Sequence, residues 1–254
     1  MLSFQTPSPT ASMRYFEFGG TGIPLLMLHG LGCASSFEYP LVATSPALTG
    51  RHAILIDLLG FGFSDRPDDF GYRVEDHAEQ VCAFVQSRGF EQIDLYGHSM
   101  GGSVAVEAAD LLGNKVRHLI LSEANLDSDG GEFSTPIAAM GERAYINGGH
   151  LLRCEAAEAV GDASWVATMR AASALAIYRG AKSLVEGSSP DWRSCFLRHP
   201  ARKSYIFGQH SLPDPDHDAL PEYGIAVHVV PDAGHSMGLE NPAGLATAIA
   251  KAMS

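Results

Sequence analysis

The segment that most constrains this chain is the sequence G-H-S-M-G-G at residues 97–102. An apolar run at 93–96 precedes it and a helix-forming run at 103–109 follows, so the segment predicts a strand, a sharp turn and a helix. Ser99 lies at the apex, where a strained backbone projects its hydroxyl above the sheet. The helix N-terminus directs free N–H groups at the same point. The pattern therefore predicts a nucleophilic serine.

A histidine near the C-terminus is the predicted general base. Residues 225–230 are typical of a buried strand, and the loop P-D-A-G-H-S-M follows at 231–237. Although the chain has eleven histidines, the position of His235 in the chain order nucleophile, acid, base favours a catalytic role over that of an ordinary loop histidine.

A glycine-containing loop after an early strand predicts an oxyanion hole. The sequence H-G-L-G at residues 29–32 directly follows the apolar run 24–28. Acyl transfer needs two N–H donors directed at the developing oxyanion, and we expect them from Leu31 and Met100. His29 itself is expected to brace its loop through hydrogen bonds.

These motifs resemble the α/β-hydrolase superfamily. They are HGLG (29–32), DLLGFGFSD (57–65), GHSMGG (97–102) and PDAGHSMGLENP (231–242), and the resemblance covers nearly all of the chain after residue 13. It implies an α/β fold with a mostly parallel, twisted sheet flanked by helices. It also implies serine chemistry that needs no metal or organic cofactor. The substrate stays open, because this scaffold hosts esterases, lactonases, thioesterases, C–C hydrolases and some lyases.

The strand–helix alternation divides the chain into a core and an insertion. Residues 13–123 and 203–254 predict the α/β-hydrolase core, whereas 124–202 contain no convincing core strand. We expect a helical cap there that covers the strand ends and excludes water. Residues 1–12 carry neither the basic nor the apolar region of a secretory signal and predict a disordered leader. The expected cap helices span roughly 136–147, 151–160 and 163–180.

Composition restricts the partners. The formal net charge is −12, which disfavours a nucleic-acid partner and repels polyanionic substrates. No apolar run is long enough to span a bilayer, so we expect no membrane partner. Four cysteines without close or metal-like spacing indicate reduced thiols in a cytoplasmic protein. We expect a monomer or homodimer acting on a small molecule.

The acid of the predicted triad departs from the commonest pattern of the superfamily. That pattern places an aspartate in a G-x-x-D turn after the strand that follows the cap, where this chain has Ser211. Glu123 instead ends the apolar strand 116–121, a position that a minority of the superfamily uses. A carboxylate there is costly without a partner, and protonated His235 would supply one. We therefore predict Glu123 as the acid.

Three aspartates after Ser211 leave a second assignment open. Asp214 is the alternative acid, and Asp216 or a dyad supported by water remain further options. Asp57 also ends a strand, but we expect it to hold loops together, with Ser64 and Asp65 pinning the same loop.

The predicted pocket combines the oxyanion loop with apolar residues. We expect it to contain His29, Gly30, Phe37, Met140 and Trp165. Further apolar residues of the cap are expected mainly to pack against the core; they are Phe133, Tyr145, Met169 and Trp192.

The sequence predicts a serine hydrolase that cleaves a small or medium carboxylic ester or lactone through an acyl-enzyme. The same motifs are compatible with C–C bond hydrolysis of a diketone or dienoate, which usually needs a basic cap residue. They are also compatible with a thioesterase and with a non-catalytic ligand-binding protein. The candidate basic residues are Arg143, Arg153, Arg170 and Arg179.

Overall fold

One sheet runs through the molecule. A computed structural model describes residues 1–159, 161 and 163–254. Its eight strands lie in the order β1-β2-β4-β3-β5-β6-β7-β8; β1–β2 and β2–β4 pair antiparallel, and the other pairs are parallel. The fold class predicted from the sequence is therefore confirmed. The strands are β1 Leu2–Gln5, β2 Ser12–Phe18, β3 Thr21–Leu28, β4 Arg51–Ile56, β5 Ile93–His98, β6 Val116–Ser122, β7 Arg202–Gly208 and β8 Ala226–Val230.

The central strands are apolar because both of their faces are covered. Residues 25–28 of β3 are fully buried, and their side chains alternate between two hydrophobic clusters on opposite faces of the sheet. Leu26 and Leu28 belong to one cluster, whereas Leu25 and Met27 belong to the other. The carboxyl ends of β3, β5 and β6 consequently meet at one edge of a rigid core.

Helices cover both faces of the sheet. In the core they are α1 Ser35–Glu38, α2 Pro40–Ala43, α3 Val74–Ser87 and α4 Met100–Leu112. Between β6 and β7 they are α5 Gly131–Ala139, α6 Glu142–Ala144, α7 His150–Ala159, α8 Ala163–Ala171, α9 Ala174–Glu186 and α10 Trp192–Arg198. The remaining helices are α11 Pro215–Ala219, α12 Met237–Glu240 and α13 Pro242–Ala252. None of the described helices is long and apolar enough to cross a membrane.

The prediction of a disordered leader over residues 1–12 is wrong. Leu2–Gln5 forms β1, which pairs antiparallel with β2, and Gln5 Nε2 donates to Ser12 Oγ at 2.7 Å. Thr6 is buried, and its hydroxyl donates to the Ala11 carbonyl at 3.0 Å. The strand has only four residues and depends on its partner for hydrogen bonds, so its sequence is too short to give a strand signal of its own.

The segment between β6 and β7 is helical in the described residues, and we call it the insertion. Its helices begin and end at places that differ from the prediction. The expected helix 163–180 is interrupted, because Ser173 caps α9 by accepting from Ala176 N and its own N–H donates to Gly60 O at 2.8 Å. The expected helix 151–160 corresponds to α7, with residue 160 outside the described residues. The expected helix 136–147 is replaced by α5, which begins at residue 131, and by the short α6.

Candidate active site

Ser99 forms the turn between β5 and α4. Its φ is 52° and its ψ is −123°, a conformation that costs a non-glycine residue free energy and that its neighbours must maintain. The Ser99 N–H donates to Ser122 O of β6 at 3.0 Å, and the Ser99 carbonyl accepts from Gly102 N at 2.8 Å. The serine is thereby fixed to an adjacent buried strand rather than to a loop.

Two glycines allow the strand and the helix to cross at this turn. A Cβ atom on Gly97 would overlap the Gly101 carbonyl oxygen, and one on Gly101 would overlap the His29 carbonyl oxygen. Both overlaps are with main-chain atoms, which cannot rotate away. The motif at 97–102 is therefore explained by packing as well as by chemistry.

Glu123 follows β6 and contacts His235. Its Oε2 accepts from His235 Nδ1 at 2.6 Å, and its Oε1 accepts from the Gly208 N–H at the end of β7 at 2.8 Å. The Glu123 N–H donates to Ile206 O at 3.2 Å. An ionised carboxylate can only accept a hydrogen bond, so Nδ1 of neutral His235 carries the hydrogen. Nε2 is then the basic nitrogen.

The environment of Glu123 favours its ionised form. Burial alone would raise its pKa, but the hydrogen bond and charge of His235 and the hydrogen bonds of Gly208 and Ser211 together lower it. Ser211, at the position where the superfamily pattern has its aspartate, thus supports Glu123 instead.

The three aspartates after Ser211 have other partners. Asp214 caps α11, where its side chain accepts from Asp216 N at 2.8 Å. The Asp216 carboxylate pairs with Arg193 at 2.8 Å, and Asp218 lies 2.8 Å from His217. The structure brings Glu123, and not Asp214, to the imidazole of His235.

His98, the residue before Ser99, is a second histidine beside His235. Their ring centroids are 4.6 Å apart, and His98 Nδ1 lies 3.1 Å from Ser122 O. Burial and the proximity of His235 lower the pKa of His98 to about 3, so it stays neutral. A neutral neighbour does not oppose a positive charge on His235. Residue 98 is the unspecified position before the serine in the G-x-S-x-G motif, so the motif did not predict that His98 lies beside His235.

His29 lies beneath the oxyanion loop and is fully buried. Its Nε2 accepts from Leu58 N at 3.1 Å, so its hydrogen is on Nδ1, which donates to Gly30 O at 2.8 Å. Burial lowers the pKa of His29, which keeps it neutral. Since the peptide is trans, fixing the Gly30 carbonyl also fixes the Leu31 N–H in the opposite direction.

A cavity of about 330 Å³ connects these groups. It is lined by Ser99, Glu123 and His235, and by Gly30 and Leu31 of the oxyanion loop. Within the described residues, the Ser99 hydroxyl makes no hydrogen bond to His235, although both line this cavity. Such contacts commonly tighten only when substrate is present.

Part of the predicted pocket is wrong. Trp165 and Gly30 line the cavity as expected, whereas the described lining does not include His29, Phe37 or Met140. His29 lies below the loop, and Phe37 and Met140 point to solvent with 47% and 40% of their surfaces exposed. Phe37 and Met140 were predicted to line the cavity because they are apolar, but α1 and the end of α5 place both side chains toward solvent.

Helix α5 contributes a wall that the sequence did not predict. Glu132, Phe133 and Ser134 all line the cavity, and the Phe133 ring lies nearly parallel to that of His235, with centroids 6.0 Å apart. The Trp165 ring is 5.6 Å from Phe133. Because the predicted helix began at about residue 136, these three positions lay before the first predicted cap helix. Tyr145, Met169 and Trp192 are buried in the packing, as expected. Asn125, Gly130, Gly131, Ser211 and Ser236 complete the polar part of the lining, with Cys33.

The Trp165 side chain also reaches the oxyanion loop. Its Nε1 donates to Leu31 O at 3.3 Å. The insertion therefore contacts the loop on one side of the cavity and, through Phe133, the histidine on the other.

The cationic side chains of the insertion lie elsewhere. Arg170 pairs with Glu158 at 2.6 Å, and Arg179 pairs with Glu142 at 3.0 Å. Among the described residues that line the cavity there is no lysine or arginine, so Arg143 and Arg153 do not reach it either.

Asp57 holds loops together, as expected. It is fully buried and accepts from Ser36 N at 2.9 Å, Ser36 Oγ at 2.7 Å and Phe63 N at 3.0 Å. Ser64 Oγ donates to the Asp57 carbonyl at 2.6 Å, and Asp65 accepts from Ser12 N at 2.7 Å.

Comparisons with known proteins find relatives among the hydrolases. A family model described as alpha/beta hydrolase fold matches residues 23–143. The chain is 35% identical over 103 residues to a 2-hydroxymuconate semialdehyde hydrolase from Pseudomonas sp. (strain CF600). That match covers 40% of this chain and 36% of the relative, so it spans little more than a third of the relative's length.

Solved structures match over nearly the whole chain. A thermophilic esterase from Thermogutta terrifontis has a TM-score of 0.82 at 21% identity, covering 99% of this chain and 97% of that one. An N-acyl homoserine lactonase in complex with N-hexanoyl homoserine has a TM-score of 0.76 at 20% identity, covering 99% and 95%. At these identities the likeness concerns the fold.

Proposed function

We propose that this chain is a serine hydrolase of the α/β-hydrolase superfamily that cleaves small or medium carboxylic esters or lactones. The observation that carries the proposal is the 2.6 Å contact between Glu123 and His235 in a cavity that Ser99 also lines. An aspartate at the turn would favour dehalogenase or epoxide hydrolase chemistry, and this chain has a serine there.

The first half of the reaction forms an acyl-enzyme. His235 Nε2 takes the proton of the Ser99 hydroxyl while Oγ attacks the substrate carbonyl carbon. The carbonyl oxygen becomes an oxyanion that accepts from the N–H groups of Leu31 and Met100, each worth on the order of 3 kcal/mol in the transition state. The tetrahedral intermediate collapses, the ester C–O bond breaks, and His235 gives its proton to the leaving alkoxide.

The second half releases the acid. Water gives a proton to His235 and attacks the acyl carbon, and the bond to Ser99 Oγ breaks as the proton returns to it. Glu123 orients the imidazole in both halves and stabilises its charged form.

The charge of the lining supports ester or lactone cleavage over two alternatives. These are hydrolysis of a dienoate and cleavage of thioesters of phosphorylated carriers. Hydrolysis of a dienoate needs a group that binds the substrate carboxylate, and the described lining offers Glu123 and Glu132 but no lysine or arginine. A thioesterase for phosphorylated carriers meets the same obstacle, because the chain carries a formal net charge of −12.

Hydrolysis of p-nitrophenyl acetate and butyrate by the wild type and by Ser99→Ala tests the proposal. We expect turnover by the wild type and a loss of about 10⁴-fold or more in the variant, with both proteins folded. Retained activity in Ser99→Ala would exclude Ser99 as the nucleophile. An inert wild type would move C–C hydrolysis or ligand binding ahead of ester cleavage.

A further inference from the structure

The side of the cavity that the insertion supplies combines a carboxylate with two aromatic rings. We call Glu132, Phe133 and Trp165 the insertion wall. Glu132 is exposed, Phe133 is 43% exposed and Trp165 is half-buried, so the wall lies where the cavity opens to solvent. The centroids of the two rings are 5.6 Å apart and their planes are inclined by 54°. Both rings therefore border the cavity beside Glu132.

The Glu132 carboxylate is available to a ligand. Within the described part of the chain, its side chain makes neither a hydrogen bond nor an ion pair. The other lining carboxylate, Glu123, is already engaged by His235 and by the Gly208 N–H. Among the described lining residues, Glu132 is therefore the carboxylate without a charged partner.

No opposing charge balances Glu132 in the described lining, which holds neither lysine nor arginine. Two arginines of the insertion, Arg170 and Arg179, are already paired with Glu158 and Glu142. The formal net charge of −12 adds a long-range field of the same sign. An anionic group entering the cavity meets repulsion that nothing in this lining offsets.

We propose that the insertion wall is a subsite for a substituted ammonium group, so that the enzyme prefers cationic esters to neutral esters of the same shape. This inference rests on the proposed ester hydrolysis and names the substrate class. Glu132 supplies the counter-charge and is the specificity-determining residue. Phe133 and Trp165 supply ring faces, which attract cations through their quadrupoles.

Two isosteric pairs of substrates test this preference directly. On the leaving-group side, acetylthiocholine is compared with S-(3,3-dimethylbutyl) thioacetate, in which carbon replaces the ammonium nitrogen. On the acyl side, the p-nitrophenyl ester of 4-(trimethylammonio)butyrate is compared with that of 5,5-dimethylhexanoate. The ratio of kcat/KM within a pair cancels effects of a variant on folding or on the chemical step.

We expect the wild type to prefer the cationic member of at least one pair by about tenfold, the sum of an exposed ion pair and an exposed cation–π contact. Glu132→Gln should lower that ratio to about threefold, because only the cation–π contact then remains, and Phe133→Leu should lower it by a smaller factor. Glu155→Gln is the matched control, because it removes the same charge from an exposed position of the insertion outside the described lining.

Equal or faster turnover of the neutral member in both pairs would overturn the subsite while leaving the proposed hydrolysis intact. A preference that stays at about tenfold in Glu132→Gln, or that falls equally in Glu155→Gln, would overturn the role of Glu132. Absence of turnover for every member of both pairs would overturn the proposed function itself.

Discussion

The two sides of the cavity are built differently. The core side places Ser99 and Glu123 on the ends of buried strands, where main-chain hydrogen bonds from neighbouring strands fix them. The insertion side presents Phe133 and Trp165 from short helices, and their contacts include ring contacts and the hydrogen bond from Trp165 to Leu31. The core side therefore suits chemistry that needs fixed geometry, whereas the insertion side can change with substrate.

Several contacts anchor the insertion to the core through the end of α8 and through α9. Arg66 donates to Ala171 O at 2.6 Å, Arg73 pairs with Glu186 at 2.8 Å, and Ser183 Oγ accepts from Val74 N at 3.1 Å. These contacts join α9 to the core at both ends. The wall residues Glu132, Phe133 and Trp165 take no part in these three contacts, so changes in them should alter activity without large losses of stability.

The largest expected effect is on the core side. Glu123→Gln should lower kcat/KM for p-nitrophenyl butyrate by about 10²- to 10⁴-fold, because the amide cannot stabilise a charged His235. Asp214→Asn is the matched control and should stay near the wild type, since Asp214 only caps α11. A large loss of kcat/KM in Asp214→Asn, with Glu123→Gln near the wild type, would show that Asp214 and not Glu123 is the acid.

Removing the brace beneath the oxyanion loop should come next. His29→Ala frees the Gly30 carbonyl and should lower kcat by roughly 10- to 100-fold with little change in KM, somewhat less than losing an oxyanion donor. Steady-state kinetics on the same ester check this split. A rise in KM with unchanged kcat would mean that His29 acts on binding rather than on the oxyanion hole.

A buried carboxyl of the core should make stability depend on pH. Glu38 is buried, its Oε2 has no hydrogen-bond partner among the described residues, and burial raises its pKa to about 7. The pKa of Glu38 is higher in the folded than in the unfolded protein. Its contribution to stability is therefore fully present below about pH 4.5 and is lost as the pH rises toward 7. The loss amounts to roughly 3 kcal/mol in the free energy of unfolding.

Urea unfolding at pH 5 and pH 8 checks this linkage. Glu38→Gln mimics the neutral carboxyl, so its free energy of unfolding should rise relative to that of the wild type between pH 5 and pH 8. For Glu222→Gln, at an exposed position, the difference from the wild type should be the same at both pH values. Parallel curves for Glu38→Gln and the wild type would contradict a carboxyl that ionises near neutrality.

The smallest expected effect tests the insertion side. Trp165→Phe keeps a ring in the cavity but removes the N–H that Leu31 O accepts, and we expect a drop of about 2- to 10-fold in kcat. The second tryptophan gives the control, since Trp192 Nε1 donates to Glu107 at 2.9 Å, away from the cavity. A larger loss in Trp165→Phe than in His29→Ala would mean that the insertion, and not the core, fixes the oxyanion loop.

The same contrast separates what the sequence predicts from what it does not. The core strands are continuous apolar runs, and Gly97 and Ser99 carry a local backbone signal, so the fold and the serine turn are predictable. Glu123 was predictable because a charge that ends an apolar strand needs a partner. The start of α5, the break at Ser173 and strand β1 depend on contacts with distant residues, so local patterns did not reveal them.

The central claim is that Ser99 is the nucleophile that His235 activates. Labelling with diethyl p-nitrophenyl phosphate, followed by mass spectrometry of the intact protein and its peptides, tests it most directly. We predict one diethylphosphoryl group on the peptide that contains Ser99, none in Ser99→Ala, and much slower labelling in Glu123→Gln than in Asp214→Asn. Labelling that persists in Ser99→Ala, or a wild type that does not react, would contradict the account.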